Sequence, residues 1–163
     1  MSVRKRPPRI VHNGLFLTRP HTGMGQYSRH VLERLPKALP EAEHVVVVPE
    51  PVDDAPKGVD LRVVKPSKPG RQRFIGFDHW ETSDVADVIS DVGADLYFSP
   101  YPTPPVKSDV PVAMVVHDMI PWQLPEYRKS LRSRAQHRRK LRGIRKASRV
   151  LTVSKTAKKA ITA

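Results

Sequence analysis

HVVVV, His44 to Val48, is the stretch on which the fold turns. Four consecutive valines leave no alternation between a wet and a dry side, so the run predicts a strand covered on both faces, closed by Pro49 and Pro51. Apolar stretches on either side repeat the theme. IVHN (Ile10 to Asn13), LRVVK (Leu61 to Lys65), DLYFS (Asp95 to Ser99), PVAMVVH (Pro111 to His117) and RVLTVS (Arg149 to Ser154) predict five further strands. Helical periodicity falls between them. QYSRHVLERL predicts a helix ending near Pro36, with Tyr27, Val31 and either Leu32 or Leu35 on one face. A second helix is expected from about Thr82 to Val92, with Val85, Val88, Ile89 and Val92 as its stripe, Thr82 or Ser83 as N-cap and Gly93 as the stop. A basic helix is expected from about Tyr127 to Lys146, and KTAKKAITA begins another. Apolar strands alternating with helical crossovers argue for an α/β doubly wound domain with a mostly parallel sheet. The ten residues from Gly14 to Gly23 read as a polar loop, and Lys65 to Phe74 as an exposed, mobile one.

At 163 residues, 39% apolar and 28% charged, the chain fits one compact domain, read as residues 10–163 behind a basic flexible arm at 1–9. The 17 prolines are scattered and form no repeating tract. The absence of cysteine excludes disulfide frameworks, thiolate metal sites and Cys nucleophiles. The longest apolar runs fall far short of the roughly 18 residues of a spanning helix, so a soluble, cytoplasmic protein is expected, at most peripheral to a membrane. Charge is distributed unevenly. Of 29 Lys and Arg, 14 lie between Arg128 and Ala163 with no acidic residue among them. Residues 1–127 hold the other 15 against all 16 Asp and Glu, so the formal charge of +13 belongs to the C-terminal segment. Such an excess points to an anionic partner.

In doubly wound sheets ligands bind beyond the carboxyl ends of the strands, which directs attention to the residues just past each strand. TGMGQY (Thr22 to Tyr27) places Gly23 and Gly25 at a helix start, where backbone N–H groups and the helix dipole favour a phosphate. A dinucleotide fingerprint is incomplete here. Its glycines would come directly after the strand and a third would replace Ser28, although Glu50 stands where a ribose-binding acid would. A tight turn without ligand remains the other reading of this loop. His117 and Asp118 end the fifth strand, where an imidazole can exchange hydrogen bonds with a sugar or phosphoryl oxygen, or simply cap its own strand. The helix RKSLRSRAQHRRKLRGIRKASR lacks acidic partners, so Arg134, Arg138, Arg139, Lys140 and Arg142 present uncompensated charge to an anionic surface. Its apolar stripe, Leu131, Ala135, Leu141, Ile144 and Ala147, is thin, which makes any membrane contact electrostatic. It has His137 but no interleaved Phe, Tyr or Trp for base stacking, which disfavours single-stranded nucleic acid though not plain phosphate contacts. No HxxxH, HExxH or DxD spacing supports a metal site.

Four segments in order, NGLFLTRPHTGMGQYSRHVLERL, ADLYFSPYPTPP, VVHDMIPWQLPEY and ASRVLTVSKTAKKAI, resemble the N-terminal domain of glycosyltransferase family 4, retaining transferases built from two Rossmann-like domains in the GT-B architecture. The likeness runs from about Ile10 to Ile161. It implies that this domain holds the acceptor while a C-terminal domain grips a nucleotide-sugar. By the same resemblance Gly23, Met24, Gly25 and Tyr27 would meet the donor phosphates and substrate. His117 would face the transferred sugar and help to stabilise an oxocarbenium-like transition state, with Asp118 orienting the local loop. Asn13, Tyr101, Thr103 and Ser154 would belong to the acceptor side. No cofactor or metal is expected, only the nucleotide-sugar as donor substrate, with positioning and charge neutralisation carrying the catalysis. The resemblance ends where the family's second domain would begin. The expectation is therefore an acceptor-binding half, inactive until a donor-binding domain or partner chain completes the cleft, acting on a sugar or lipid-linked sugar. The competing expectation is a non-catalytic basic module for anionic lipid or nucleic acid.

Overall fold

A computed structural model describes residues 6–69 and 77–162. Six strands, β1 (Arg9–Asn13), β2 (Glu43–Val48), β3 (Asp60–Val63), β4 (Leu96–Ser99), β5 (Val112–Val115) and β6 (Arg149–Leu151), form one sheet in the order β3-β2-β1-β4-β5-β6. Every neighbouring pair is parallel. The valine run explains why the sheet is covered on both faces. Val45 and Val47 join one core with Val11, Trp80, Val85, Ile89 and Tyr97. Val46 and Val48 join another with Leu17 and Leu32. Successive side chains leave opposite faces of a strand, so one run of valines feeds two cores.

Helix α1 (Gly23–Ala38) covers the second core through Leu32. It continues two residues past Pro36, losing there only the bond that proline's missing N–H cannot make, and Leu39 N closes on Leu35 O at 2.9 Å. Its buried side is Gly25, Ser28 and Leu32. Of the expected face, Leu32 is the packed leucine, while Tyr27, Val31 and Leu35 are only half-buried and line a surface groove with Ala38. On the other face a π-helical turn, Trp80–Asp84, leads into α2 (Val85–Asp91). The helical path starts before the expected cap. Thr82 lies inside it, its hydroxyl donating to Asp78 O at 2.7 Å. The Trp80 indole donates to Val64 O at 2.7 Å, and Asp84 accepts from the N–H and hydroxyl of Ser67. The near half of the supposed mobile loop is thereby fastened to this helix, and Gly70 to Gly76 lie outside the described residues.

The segment after β1 is not a polar loop. It folds into a 3-10 turn, Leu15–Thr18, with Leu15 and Leu17 buried. Gly14 makes this possible: a Cβ there would come within 2.7 Å of Val46 Cγ1, so only glycine lets the chain lie against β2 and donate to Val47 O at 2.8 Å. Two short elements come after β5, α3 (Ile120–Gln123) and a 3-10 turn (Pro125–Arg128), followed by the long basic helix α4 (Leu131–Lys146). Ser130 caps α4 by accepting from Ser133 N at 3.0 Å. Ile144 then packs on Met114 and Val116. Gly143 seats the helix on the loop after β4, since a Cβ there would meet Thr103 O at 1.9 Å. The sixth strand is shorter than expected, ends at Leu151, and is exposed along its length at the edge of the sheet. The final helix α5 (Lys155–Thr162) starts at Ser154, whose hydroxyl accepts from Ala157 N at 3.0 Å.

Candidate functional site

Three strand ends converge at the carboxyl edge of the sheet. A cavity of about 170 Å3 opens there, with Phe16 from the 3-10 turn after β1, Met24 from the first turn of α1, Tyr101 and Pro102 beyond β4, and His117 and Asp118 beyond β5. Pro121 and Trp122 of α3 and His137 and Lys140 of α4 complete it. His117 Nε2 lies 3.0 Å from Pro100 O and must donate to that carbonyl, which leaves Nδ1 of the neutral ring as the acceptor. Tyr27 meets the same imidazole edge to face, ring centroids 4.4 Å apart. Burial raises the Tyr27 phenol above its ordinary pKa, so it stays a neutral donor. Asp118 is exposed and its Oδ1 accepts from Ile120 N at 2.9 Å, which ties the carboxylate to the start of α3.

The two glycines of the α1 terminus differ. Gly25 N donates to the Thr22 hydroxyl at 3.0 Å, and a Cβ at Gly25 would stand 2.1 Å from Arg19 O. Gly25 is thus a packing residue with its N–H engaged. Gly23 faces open space, and the N–H groups of Gly23 and Met24, in the first turn, have no intrahelical acceptor. These two supply what the helix start can offer an anion.

Beneath the cavity lies a closed polar cluster. Asn13, fully buried at the end of β1, donates through Nδ2 to Tyr97 Oη at 3.0 Å and to Glu81 Oε1 at 3.2 Å, and accepts from Leu15 N at 3.0 Å. Tyr101 Oη lies 2.9 Å from Asn13 Oδ1 and 2.5 Å from Glu81 Oε1. One phenol proton cannot serve both oxygens, so a proton on Glu81 completes the set. Burial is the main cause that raises the Glu81 pKa from 4.5 to about 7, against the hydrogen bonds from Tyr101 and Asn13 and the charge of Lys140. Burial likewise pushes Tyr97 and Tyr101 well above the ordinary phenol range.

Charge reaches this cluster from α4. Arg139 Nε lies 3.5 Å from Asp78 Oδ2, a carboxylate almost wholly buried. Burial first raises the Asp78 pKa, and Arg139 and Lys140 oppose the rise. The basic helix is therefore not one uncompensated face. Arg139 turns inward, Lys140 lines the His117 cavity, Arg134 and Arg138 line a larger cleft of about 620 Å3, and Arg142 is exposed.

Of the residues expected at the site, His117, Asp118, Met24 and Tyr101 share the cavity, and Lys140 joins them. Tyr27 touches it through His117. Asn13 stands behind it in the buried cluster. Thr103 lines a different cavity, of about 310 Å3, and Ser154 caps α5. Glu81 and Trp122 went unread in the sequence and His137 was not placed at this site, and each of the two on long helical paths, Glu81 and His137, had a signal. Glu81 extends the stripe Val85, Val88, Ile89, Val92 one turn back, and His137 precedes Leu141 and Ile144 at helical spacing.

A parallel sheet in the order 3-2-1-4-5-6, carrying polar side chains at its carboxyl edge, defines a Rossmann-like α/β domain. Residues 21–163 match the model of glycosyltransferase family 4, and the chain belongs to that family, as its N-terminal domain. No curated protein matches the chain. Among the described residues no helix is long and apolar enough to cross a membrane, and no group of three or more His, Cys, Asp or Glu is placed to hold a metal ion.

Proposed function

We propose that the chain is the acceptor-binding half of a retaining glycosyltransferase that takes a nucleotide-sugar and works once a donor-binding domain, on the same or a partner chain, faces the carboxyl edge of the sheet. The observation that carries this reading is the meeting of His117 and the α1 start on one cavity: Met24 lines it beside His117, whose imidazole is fixed by Pro100 O at 3.0 Å. The fixed ring offers an acceptor to a sugar hydroxyl, and the N–H groups of Gly23 and Met24 offer donors to a phosphate oxygen. Tyr101 closes the floor against the buried carboxyl of Glu81. Catalysis on this reading is positioning and charge stabilisation, with neither metal nor cofactor. In the chain combined with a family donor-binding domain, His117→Ala lowers transfer by about 100-fold. Undiminished transfer would remove His117 from its role.

One observation favours a second reading, a peripheral position on anionic membrane lipid. Leu124, Tyr127 and Leu131 are 47, 52 and 82% exposed, interleaved with Arg128, Lys129 and Arg132. Apolar groups among cations suit a headgroup layer, each cation adding on the order of 1 kcal/mol. Adsorption to phosphatidylglycerol vesicles that falls with salt and with Leu131→Ser supports it; adsorption insensitive to both rejects it.

A further inference from the structure

Between the turn Pro125–Arg128 and α4 lies the cleft of about 620 Å3, which shares Trp122 and His137 with the His117 cavity. Arg128, Lys129, Arg134 and Arg138 line it, and no carboxylate does. Four cations around one cleft repel each other unless an anion enters.

The cleft is held in shape by its own bonds. Trp122 Nε1 donates to His137 O at 3.1 Å, and His137 Nδ1 donates to Ser133 O at 2.8 Å. The Ser133 hydroxyl donates to Tyr127 O, and Arg134 Nε donates to Arg128 O at 2.9 Å. These bonds clip the turn to α4. Within this frame Arg128 Nε is buried with no acceptor. That atom is shut off from the cleft, so the guanidinium of half-buried Arg128 is already partly desolvated where it borders the cleft, and a phosphate oxygen is the group its planar fork fits best. Trp122, Pro125 and Leu141 give the cleft an apolar side, which suits a phosphate ester better than a bare ion.

We infer that this cleft binds a phosphate or diphosphate group of the acceptor, while the acceptor's sugar reaches past Trp122 and His137 to His117. What the phosphate is attached to rests on the glycosyltransferase reading; its binding does not. The cleft makes the acceptor an anionic molecule, a soluble sugar phosphate or a lipid-linked one.

The test titrates the full chain with inorganic pyrophosphate at constant ionic strength, beside two double variants of equal charge loss. Arg128→Gln with Arg138→Gln strips the cleft, and Lys158→Gln with Lys159→Gln removes two exposed cations of α5 outside it. Saturable binding weakened about tenfold or more by the first pair and less than about twofold by the second is the expected result. Arg128→Gln alone leaves the thermal midpoint unchanged or higher, since it removes a buried unpaired donor; a residue holding the fold would lower it. Binding that does not saturate, or that both pairs weaken equally, overturns the inference in favour of diffuse charge. Vesicles of phosphatidylglycerol and phosphatidylcholine separate the two sources: cleft-dependent adsorption that pyrophosphate displaces marks a lipid phosphate, and pyrophosphate binding without such adsorption marks a soluble one. Neither titration needs a donor or turnover, so its failure leaves the transferase reading intact, and failure of transfer leaves the binding result intact.

Discussion

The phenol of Tyr101 stands 2.5 Å from the carboxyl of Glu81 in a pocket closed to solvent, one residue from the loop after β4 and the other from the π-helical turn before α2. The contact joins the floor of the candidate site to the helical layer beneath it. Its proton count sets a pH dependence. The folded Glu81 holds its proton to about pH 7 while the unfolded chain releases it near 4.5, so between these values the folded state binds more protons. Stability therefore falls as pH rises through that window, by about 3 kcal/mol in all. Glu81→Gln keeps a neutral amide there and flattens the slope in denaturant titrations; an unchanged slope would show that Glu81 is not its source.

His12 imposes the opposite slope. His44 Nε2 donates to Leu39 O at 3.2 Å, so its Nδ1 accepts from His12 Nε2 at 2.9 Å, and His12 Nδ1 is left buried and unpartnered. Burial, then the charge of His44, lowers the His12 pKa from 6.5 to about 3. The unfolded chain binds the extra proton in between, so stability is lost as pH falls below 6.5, on the order of 2 kcal/mol by pH 5. His12→Leu removes this acid-side loss, which unfolding curves at pH 5 and 7 would resolve.

Gly25→Ala and Gly23→Ala separate packing from flexibility at the α1 start. The first drives a methyl to 2.1 Å from the Arg19 carbonyl, and about 3 kcal/mol or more is lost. The second meets nothing within 4 Å and gains roughly 0.5 kcal/mol from a less flexible unfolded chain. Equal melting temperatures for the pair would contradict the close approach to Arg19.

Two arginines of α4 divide by their partners. Arg139→Gln strands the buried carboxylate of Asp78 and costs about 1–2 kcal/mol, discounted because the Arg139 side chain is 37% exposed. Arg142→Gln, at an exposed position, stays within about 0.5 kcal/mol. Chemical denaturation of both variants checks the order.

Much of the architecture was legible in the chain. The valine run, the spacing of the other apolar stretches and the stripe from Val85 to Val92 led to the right sheet and the right layers, because burial on both faces forces composition itself to show it. One reading failed and two stayed incomplete where local pattern competes with packing. NGLFLTRP looked like a loop because the requirement for Gly14 depends on the distance to Val46, which no local window contains. On α1 the sequence left Leu32 and Leu35 open, and Leu32 is the one that packs, because Gly25 and Ser28 beside it are small enough to let that side of the helix approach. RVLTVS forms the expected strand only as far as Leu151 and is exposed, and apolar content does not reveal that a strand sits at an edge.

Of the site, His117, Tyr101 and the α1 start were visible as residues just past strands, since parallel sheets put ligand groups at carboxyl ends. The run from Arg128 to Lys146 showed the charge but not its division. Order along the chain, element type and the sign of each segment's charge are local properties, and the amino-acid sequence by itself determined them. Which arginine turns inward to Asp78 and which four cations meet in one cleft depends on how α4 lies across β5 and the loop at Thr103. So does the proton that Asn13, Glu81 and Tyr101 share. Those are distances between residues remote in the chain, and electrostatic and hydrogen-bond energies depend on distance in space, which only the tertiary structure decided.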